Sequence, residues 1–589
     1  MSNLFQILSE LKKRKEISLQ ELEFARFLNR VESSDPKEIL FLGMACVRHQ
    51  MDGHLCISIT EFLNHPIYAK LIDKSINDVQ ILDLITKSGL IGTPGDSKPL
   101  ILDDGKVYLQ KIWKYENELI DWLLNKADEN DILAKENVQF VDQSFGGSAE
   151  VDWQRIAVKV ALLKNLVIIS GGPGTGKTFT IKRIIEALKY SNKDRKIKIA
   201  LAAPTGKAAQ RLNDSLVSSD DEEFEAGAAV TVHKLLGAEF GSSIYKYNKA
   251  NQLVYDVVIV DEASMLDIHL WTALIRALPV TAKLILLGDK DQLSSVEAGS
   301  ILGDICSGAS NSFSMKVASE IGEPLLSNKS FPLNDCFILL EKTYRVEEGS
   351  GIKVLSDAVN SGDFEKVLEI LKSDHFPYVT LKDSSKKNID ELISKYVLKP
   401  GQNNRSIEDM RNVLNTYKIL CALRRGPFGI EEINRASEKA LKGHMGIPSN
   451  QQWYSGRTIM INRSNNQFKL RNGETGLCIQ ANESEFEILF DRKEEFKLST
   501  TRLQDYELAF ANTIHKSQGS EYDHVAILLP NEANPLLSRE LLYTAITRAK
   551  KSIVIYAKEE IVVDAVKKVV SRNSGIKTKI WTETLNLSS

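Results

Sequence analysis

The stretch Leu166-Val-Ile-Ile-Ser-Gly-Gly-Pro-Gly-Thr-Gly-Lys-Thr178 decides the fold of this 589-residue chain. Its apolar start, Leu166–Ile169, predicts a buried strand, and the helical run Phe179–Lys189 follows the glycines. A strand, a glycine-rich loop and a helix in this order are the context that a phosphate-binding P-loop requires. The loop lets successive backbone N–H groups face a phosphate beside a helix N-terminus. The predicted phosphate site consists of Gly171, Gly172, Pro173, Gly174, Thr175, Gly176, Lys177 and Thr178.

Two side chains of this loop have separate chemical roles in our interpretation. Lys177 supplies a mobile positive charge for terminal phosphates, and the hydroxyl of Thr178 can ligate Mg²⁺. We therefore expect ATP and Mg²⁺ as cofactors. The alternative is a glycine-rich turn that only resembles a P-loop, and the flanking strand and helix argue against it.

Polar residues follow two further apolar runs. Val257–Val260 leads into Asp261 and Glu262, at the carboxyl edge where open α/β sheets bind ligands. We expect Asp261 to hold Mg²⁺ and Glu262 to orient and deprotonate the attacking water. Gln292, which follows the run Leu284–Leu287, is a candidate sensor of the γ-phosphate. The alternative for the acid pair is an exposed helix start without function, and the alternative for Gln292 is an ordinary turn at a strand end. A P-loop in the same predicted sheet argues against both alternatives.

Short apolar runs alternate with helical patterns along most of the chain, which predicts an α/β fold with buried parallel strands. Residues 307–330 are rich in Ser, Gly and Asn and predict an exposed loop. The expected strands are Leu166–Ile169, Ile199–Ala202, Val257–Val260, Leu284–Leu287, Ile419–Leu423, Val525–Leu529 and Ile553–Tyr556. The expected division is a mainly helical N-terminal domain at 1–115, a linker at 116–149, and α/β domains at 150–350 and 351–589, the second with a small β insertion at about 445–505.

Composition limits the class of protein. The 75 basic residues are outnumbered by 78 acidic ones, so no global positive field exists and a protein that coats nucleic acid is disfavoured. The six cysteines contain no C-x-x-C pair, which argues against zinc ribbons, iron–sulfur clusters and a secreted disulfide scaffold. No apolar run reaches the ~18 residues that would span a bilayer. We expect a soluble, cytoplasmic protein without membrane contact.

The motifs, in their order along the chain, resemble those of superfamily 1 helicases. Trp153-Gln154 is similar to the family's glutamine motif, and the P-loop and acid pair follow it. The further matching segments are Ala203–Ala209, Thr231–Gly237, Lys342–Arg345, Thr513–Glu521 and Leu542–Ala549. The resemblance predicts an ATP-driven motor on DNA.

This resemblance also implies residue roles. Gln154 reads the adenine edge, Tyr344 stacks on adenine, and Glu521 belongs to the nucleotide site. Arg345 and Arg548 are arginine fingers that stabilise charge on the transferring phosphoryl group. The implied DNA contacts are Thr205, Thr231, His233, Thr513 and His515, although either histidine could instead be a satisfied structural residue.

The detailed sequences of several motifs resemble those of one branch of this superfamily, the RecD family, which supplies the α subunit of exodeoxyribonuclease V (RecBCD). The segments APTGKAAQRL, TVHKLLG, VDEASMLD and GDKDQL carry this likeness, with Gly53–Cys56 and Tyr108–Trp113. It implies two RecA-like motor domains, 1A with a small 1B insertion and 2A with an SH3-like 2B insertion, behind an N-terminal partner-docking domain. It also implies 5′→3′ travel on single-stranded and double-stranded-end DNA, recombinational repair, degradation of linear DNA, and a heterotrimer with RecB-like and RecC-like subunits.

Three alternatives stay open at this point. A stand-alone RecD-like helicase would carry a longer N-terminal region with helix-hairpin-helix units; we do not expect one here, because the roughly 150 residues before the first motor domain contain no Gly-rich hairpin pair. An architectural subunit without motor activity would need none of the charged motif residues. Nuclease activity in this chain would need a separate cluster of carboxylates, and we expect that activity on a partner.

Overall fold

Four sheets organise the part of the chain that the structure describes. It is a computed structural model, and it describes residues 2–73, 76–131, 135–145, 151–193, 195–216, 228–239, 244–295, 297–323, 331–344, 351–398, 412, 416–465, 467–468, 470–482, 485–492 and 495–582. No helix within these ranges is long and apolar enough to cross a membrane.

The N-terminal domain, residues 2–109, combines helices with a small sheet. Ser18, Ser58 and Asn77 each begin a helix through a capping box, in which side chain and backbone exchange hydrogen bonds. Its helices are α1 (Ser2–Lys13), α2 (Leu19–Val31), α3 (Lys37–Met51), α4 (Ile59–Leu63) and α5 (Asp78–Lys87). Its strands are β1 (Cys56–Ser58), β2 (Ile91–Gly92), β3 (Leu100–Asp103) and β4 (Lys106–Leu109), in the order β1-β4-β3-β2. The mainly helical domain is confirmed, and its sheet is an addition to the prediction.

Two helices occupy most of the region that we expected to be a linker, so that prediction was wrong for them. They are α6 (Gln110–Asp128) and α7 (Lys135–Phe145). The apolar side chains of Ile112, Leu119 and Leu123 lie on one face of α6 and are buried in the core of the following domain. A buried amphipathic face fixes α6 to that domain, so the boundary at 115 would divide a helix.

The first α/β domain contains a six-stranded sheet in the order β10-β5-β9-β8-β6-β7, and every pair is parallel. Its strands are β5 (Leu166–Gly171), β6 (Ile199–Ala203), β7 (Val230–Thr231), β8 (Val257–Val260), β9 (Lys283–Gly288) and β10 (Phe337–Leu340). Its helices are α8 (Trp153–Leu163), α9 (Lys177–Ser191), α10 (Gly206–Leu216), α11 (Val232–Leu235), α12 (Ile268–Ala277), α13 (Ile301–Cys306) and α14 (Met315–Ile321). Helices cover both sheet faces, which explains why the strands are apolar throughout.

The predicted exposed loop at 307–330 is corrected by α14. Ser314 caps this helix, and the buried side chains of Phe313, Val317 and Ile321 follow one another at intervals of four residues. The polar residues between them concealed this helical spacing. Residues 324–330 of the prediction lie outside the described part of the chain.

The second α/β domain repeats the parallel arrangement in a five-stranded sheet, in the order β11-β20-β19-β12-β18. Its helices are α15 (Gly351–Ser361), α16 (Phe364–Lys372), α17 (Lys386–Ile393), α18 (Ile430–His444), α19 (Arg539–Ile546) and α20 (Glu559–Lys567). Its strands are β11 (Val379–Lys382), β12 (Tyr417–Cys421), β18 (Ala511–Thr513), β19 (Tyr522–Leu528) and β20 (Ala549–Tyr556). Both domains therefore present the carboxyl ends of parallel strands, as the motif pattern predicted.

An insertion between β12 and β18 forms its own antiparallel sheet, in the order β16-β15-β14-β13-β17. Its strands are β13 (Thr458–Ile461), β14 (Thr475–Gln480), β15 (Phe486–Phe490), β16 (Phe496–Ser499) and β17 (Tyr506–Leu508). Strands of three to six residues around a separate apolar core agree with the expected small β insertion, which ends slightly later than expected. The SH3-like description stays a prediction.

The last described segment, residues 571–582, leaves the second domain and is called the tail. The Leu55 N–H donates to the Asn573 carbonyl (2.8 Å), and the Lys106 ammonium donates to the Ser574 carbonyl (2.9 Å). Its helix α21 (Ile576–Trp581) buries Ile576 and Ile580 in the core of the first domain. The second domain, which we expected at 351–589, thus ends before the tail. The tail instead packs against both the N-terminal domain and the first α/β domain.

Candidate active site

A cavity of about 370 Å³ lies between the two α/β domains, at the carboxyl edge of the first sheet. It is the site that the predicted phosphate and acidic motifs share. The first domain contributes Pro173, Gly174, Gly176, Lys177, Thr178, Ala208, Arg211, Leu212, Asp261, Glu262, Gln292 and Tyr344. The second contributes Gly519, Glu521 and Arg548. Residues that are hundreds of positions apart therefore surround one space.

The P-loop connects β5 directly to α9. Gly174 and Gly176 both adopt a φ of +83°, which side chains rarely tolerate, and a Cβ at Gly176 would overlap the Gln154 amide. The ammonium of Lys177, the first residue of α9, donates to the carbonyl oxygens of Gly171 (2.6 Å) and Gly172 (3.2 Å). The loop thus curls around its own lysine and holds that charge in the cavity.

The two acids follow β8 at the cavity wall. The Glu262 N–H donates to Asp261 Oδ1 (2.9 Å), and Glu262 itself has a left-handed φ of +54°. Burial and the neighbouring charge of Glu262 raise the pKa of Asp261 to about 6, while Lys177 opposes the rise. A non-glycine residue at positive φ stores backbone strain, which is typical of functional positions. The strained turn points two carboxylates into a space shared with a lysine.

Gln292 is buried in the same cavity wall as these acids, and Asp289 holds its side-chain amide in place. The Gln292 Nε2 donates to Asp289 Oδ2 (2.8 Å), and the Asp291 N–H donates to Asp289 Oδ1 (3.1 Å). Burial raises the pKa of Asp289, and the charge of Lys177 partly offsets it. Asp289 belongs to the GDKDQL segment, in which only Gln292 was assigned a role. Asp289 directly follows β9, and this position at the carboxyl end of a parallel strand could have identified it as a candidate site residue.

Arg548 reaches the cavity from the second domain, where only 2% of it is exposed. Its Nε donates to the Thr544 carbonyl (3.1 Å) and its Nη1 donates to the Ser520 carbonyl (3.1 Å). Burial lowers its pKa, and the negative charges of Glu262 and Glu521 oppose that shift. A guanidinium held by neutral carbonyls keeps its full positive charge for a partner in the cavity.

Two further predicted residues lie on the outer side of the loop. Gln154, near the start of α8, donates from Nε2 to the Thr175 carbonyl (2.8 Å). The Tyr344 N–H donates to the Gly174 carbonyl (2.8 Å), and its side chain is exposed. Both therefore stand beside the P-loop backbone. Arg345, the other predicted arginine finger, lies outside the described residues.

Arg211 is a cavity residue that the sequence analysis did not select. It lies on α10 and also lines a second cavity, of about 450 Å³, between α10 and the β insertion. Glu521 lines both cavities as well. The segment APTGKAAQRL contains Arg211, and helical spacing from Lys207 places both cations on one face of α10.

The predicted DNA contacts follow strand ends of both domains. The hydroxyl oxygens of Thr205, Thr231 and Thr513 accept backbone N–H groups three residues later, at 3.2, 3.2 and 3.3 Å. His233 is exposed. Burial, with the charge of Arg572, lowers the pKa of His515. Local turn formation accounts for the threonine hydroxyls in this structure, and their contact with DNA stays a prediction.

Comparisons with known proteins agree with this architecture. The family model for the N-terminal domain of RecBCD enzyme subunit RecD matches residues 13–108. Models for an AAA domain and a UvrD-like helicase C-terminal domain match residues 154–298 and 508–556. Both α/β domains and the N-terminal domain are therefore recognised independently.

Curated relatives extend the match to nearly the whole chain. An ATP-dependent RecD2 DNA helicase of Deinococcus radiodurans is 26% identical and covers 76% of this chain, but only 54% of its own length is matched. RecBCD enzyme subunit RecD of Haemophilus influenzae is 30% identical, over 97% of this chain and 99% of the relative. The same subunit of Buchnera aphidicola (subsp. Schizaphis graminum) is 31% identical, over 96% of this chain and 100% of the relative. The chain belongs to the family of RecBCD enzyme subunits RecD.

Proposed function

We propose that this chain is an ATP-dependent DNA helicase, one of two motor subunits of a RecBCD-type complex. One observation carries the proposal: a P-loop lysine, an acid pair and a buried arginine from the other domain surround a single cavity. An ATP bound there would touch both domains, so its hydrolysis would change how tightly they close. A subunit with a purely architectural role would need no such arrangement of charge.

Each residue of the cavity has its own proposed role in ATP hydrolysis. Lys177 and the loop N–H groups bind the β- and γ-phosphates, and Glu262 accepts a proton from the attacking water. Arg548 stabilises the charge that develops on the transferring phosphoryl oxygens, and Gln292 links the γ-phosphate to the loop after β9. Gln154 and Tyr344, beside the loop, bind the adenine.

Asp261 and Thr178 fit a Mg²⁺ ion, because a carboxylate and a hydroxyl are the oxygen ligands that this ion prefers. Such an ion would neutralise charge between the phosphates. Among the described residues no group of three or more His, Cys, Asp or Glu side chains could hold a metal, so phosphate and water oxygens would supply the other ligands.

Movement along DNA follows from the same geometry. We propose that Thr205, Thr231 and His233 contact single-stranded DNA on the first domain, and Thr513 and His515 on the second. Each set follows the carboxyl ends of its own parallel sheet. Opening and closing of the cavity would then change the distance between two DNA grips, which is a step.

The proposed partners are RecB-like and RecC-like subunits in a heterotrimer that acts on double-stranded DNA ends, in repair and in degradation of linear DNA. Full-length matches to relatives named as RecBCD subunits support this more than the partial match to RecD2. We also propose a cytoplasmic location, since all six cysteines are buried thiols, which persist where thiols stay reduced.

The N-terminal domain is the proposed docking surface. Leu19 and Met51 are more than half exposed, and Ser18 donates a hydrogen bond to the Met51 sulfur, so they form one apolar patch. Replacing both by Glu should reduce co-purification with the partners, while Val280→Glu, a control on the first domain with a more exposed apolar side chain, should not. Undiminished co-purification of the double variant would place docking elsewhere.

Polarity is tested by strand displacement on duplexes with a 5′ or a 3′ single-stranded tail. We expect unwinding from the 5′ tail, dependent on Mg²⁺ and ATP and weaker as salt rises. The assay needs the isolated subunit or a complex whose other motor lacks its P-loop lysine. A preference for the 3′ tail would contradict the proposed polarity, and failure to stimulate ATP turnover with single-stranded DNA would contradict the motor itself.

A further inference from the structure

The loop that follows β9 in the first domain is held by side chains of the second domain. The Leu293 N–H donates to Thr544 Oγ1 (2.9 Å), and the Leu293 carbonyl accepts from Gln518 Nε2 (3.0 Å). Both polar groups of one backbone residue are therefore satisfied across the domain boundary. The loop that carries Gln292 cannot move independently of the second domain while these bonds exist.

Tyr543 extends this contact to the cavity wall. Its hydroxyl donates to Asp289 Oδ2 (3.2 Å), the same oxygen that accepts from Gln292 Nε2 (2.8 Å). A Cβ at Gly172 would lie 3.1 Å from the Tyr543 hydroxyl oxygen, so the hydroxyl stands against the P-loop. Burial raises the pKa of Tyr543 well above its ordinary value, so the group stays a hydrogen-bond donor.

We infer that Tyr543 is a positioning residue for ATP hydrolysis, which fixes Asp289 and through it Gln292 when the two domains are closed. Asp289 Oδ2 receives one hydrogen bond from its own domain and one from the other. Separation of the domains removes the second bond from a carboxylate that is only 1% exposed, and the remaining donor, Gln292, must compensate. The inference rests on the proposed hydrolysis site and adds a link between domain closure and the orientation of Gln292.

Tyr543→Phe removes only the hydroxyl. Because a hydrogen bond to a charged group is lost, we expect kcat for DNA-stimulated ATP hydrolysis to fall about tenfold. KM for ATP should stay within about twofold, since the phosphate-binding loop is untouched. A side chain with a merely structural role would lower thermal stability without separating kcat from KM.

Tyr454→Phe is the matched control. Tyr454 is also buried in the second domain, and its hydroxyl also donates to a carboxylate, Glu438 Oε1, at 3.2 Å. It packs in a core cluster away from the cavity. We expect wild-type kcat and KM for this variant. A similar fall of kcat in both variants would mean that loss of any buried tyrosine hydroxyl slows the enzyme, and would contradict the inference.

A double-mutant cycle with Gln292→Ala tests the route of the effect. If Tyr543 acts through Asp289 and Gln292, adding Tyr543→Phe to Gln292→Ala should cost little further activity. Wild-type kcat of Tyr543→Phe, or fully additive losses in the double variant, would overturn the inference. Lys177→Ala separates failure of the proposed hydrolysis site from failure of the positioning role. Full ATPase activity of Lys177→Ala would refute the hydrolysis site. An inactive Lys177→Ala together with an unaffected Tyr543→Phe would refute only the positioning role.

Discussion

Two regions join the first α/β domain to later parts of the chain, and both bury carboxylates. In the cavity, burial and Glu262 raise the pKa of Asp261 to about 6. Beside the tail, burial raises the pKa of Glu116 to about 7. Yet Asp261 faces open space shared with Lys177 and Arg548, whereas Glu116 accepts hydrogen bonds from the Gly575 N–H (3.0 and 3.1 Å) and the Tyr108 hydroxyl (3.2 Å).

The difference shows that a perturbed carboxylate does not by itself mark a functional site. At the tail Glu116 is fully buried, and protein donors, the Gly575 N–H and the Tyr108 hydroxyl, bond to its carboxylate. In the cavity the acids face cations across about 370 Å³ of space. Changes in the cavity should therefore alter turnover and spare stability, and changes beside the tail should do the reverse.

The largest effect is expected from Lys177→Ala. Removing the ammonium leaves the phosphates without their main cation, so DNA-stimulated ATP turnover should fall more than about a thousandfold, to background. Thermal unfolding should be unchanged. Lys182→Ala, on the same helix but outside the cavity, is the control and should be active. Substantial turnover by a folded Lys177→Ala would remove the cavity from the mechanism.

Glu262→Gln should have the next largest effect. The amide keeps the size of the side chain but cannot accept a proton from water, so kcat should fall roughly 10²–10⁴-fold. Binding of ATP, measured by equilibrium titration, should persist. Glu186→Gln on the outer part of α9 serves as the control. Loss of ATP binding with normal turnover per bound ATP would make Glu262 a binding residue instead of a base.

The smallest effect concerns the region beside the tail. Because the folded pKa of Glu116 is raised to about 7 from 4.5, ionisation is costly in the folded state, and stability is lost as pH rises from 4.5 through 7. Glu116→Gln cannot ionise, so it should lose this pH dependence and gain on the order of 1–2 kcal/mol above pH 7 relative to wild type. ATP turnover should stay within about twofold.

Thermal unfolding at pH 5 and pH 8 measures this difference. The gap between the melting temperatures of Glu116→Gln and wild type should widen from pH 5 to pH 8. An equal gap at both pH values would mean that Glu116 does not titrate in the folded protein. Loss of turnover in Glu116→Gln would break the distinction between the two regions.

Local sequence was sufficient for the seven predicted strands, the P-loop and the acid pair, because each feature depends on residues that adjoin it. The N-terminal sheet and the strands β7, β10, β11 and β18 were not predicted. Glu262 at positive φ still follows its strand directly, so the motif located it. Contacts between distant segments were not visible. Tyr543 bonds to a residue 254 positions away, and the tail residue Gly575 bonds to Glu116 across 459 positions.

The errors in the fold have a similar origin. Helix α6 was assigned to a linker because its buried face becomes apparent only against the sheet it covers. Arg211 was overlooked because it lines two cavities, each of which is completed by residues of the second domain or its insertion. The motif resemblance named Glu521 and Arg548 of the second domain, but only the structure places them around the same cavity as Lys177.

If both domains build one hydrolysis site, a change to the guanidinium of the second domain must slow hydrolysis, and Arg548→Lys makes that change. Lysine keeps the charge and the aliphatic stem but lacks the planar fork of the guanidinium. ATP affinity and kcat should be measured on the same preparation, with thermal unfolding as the check on folding. We expect a dissociation constant for ATP within about threefold of wild type and a kcat reduced on the order of 10²–10³-fold. A kcat within about twofold of wild type would contradict it.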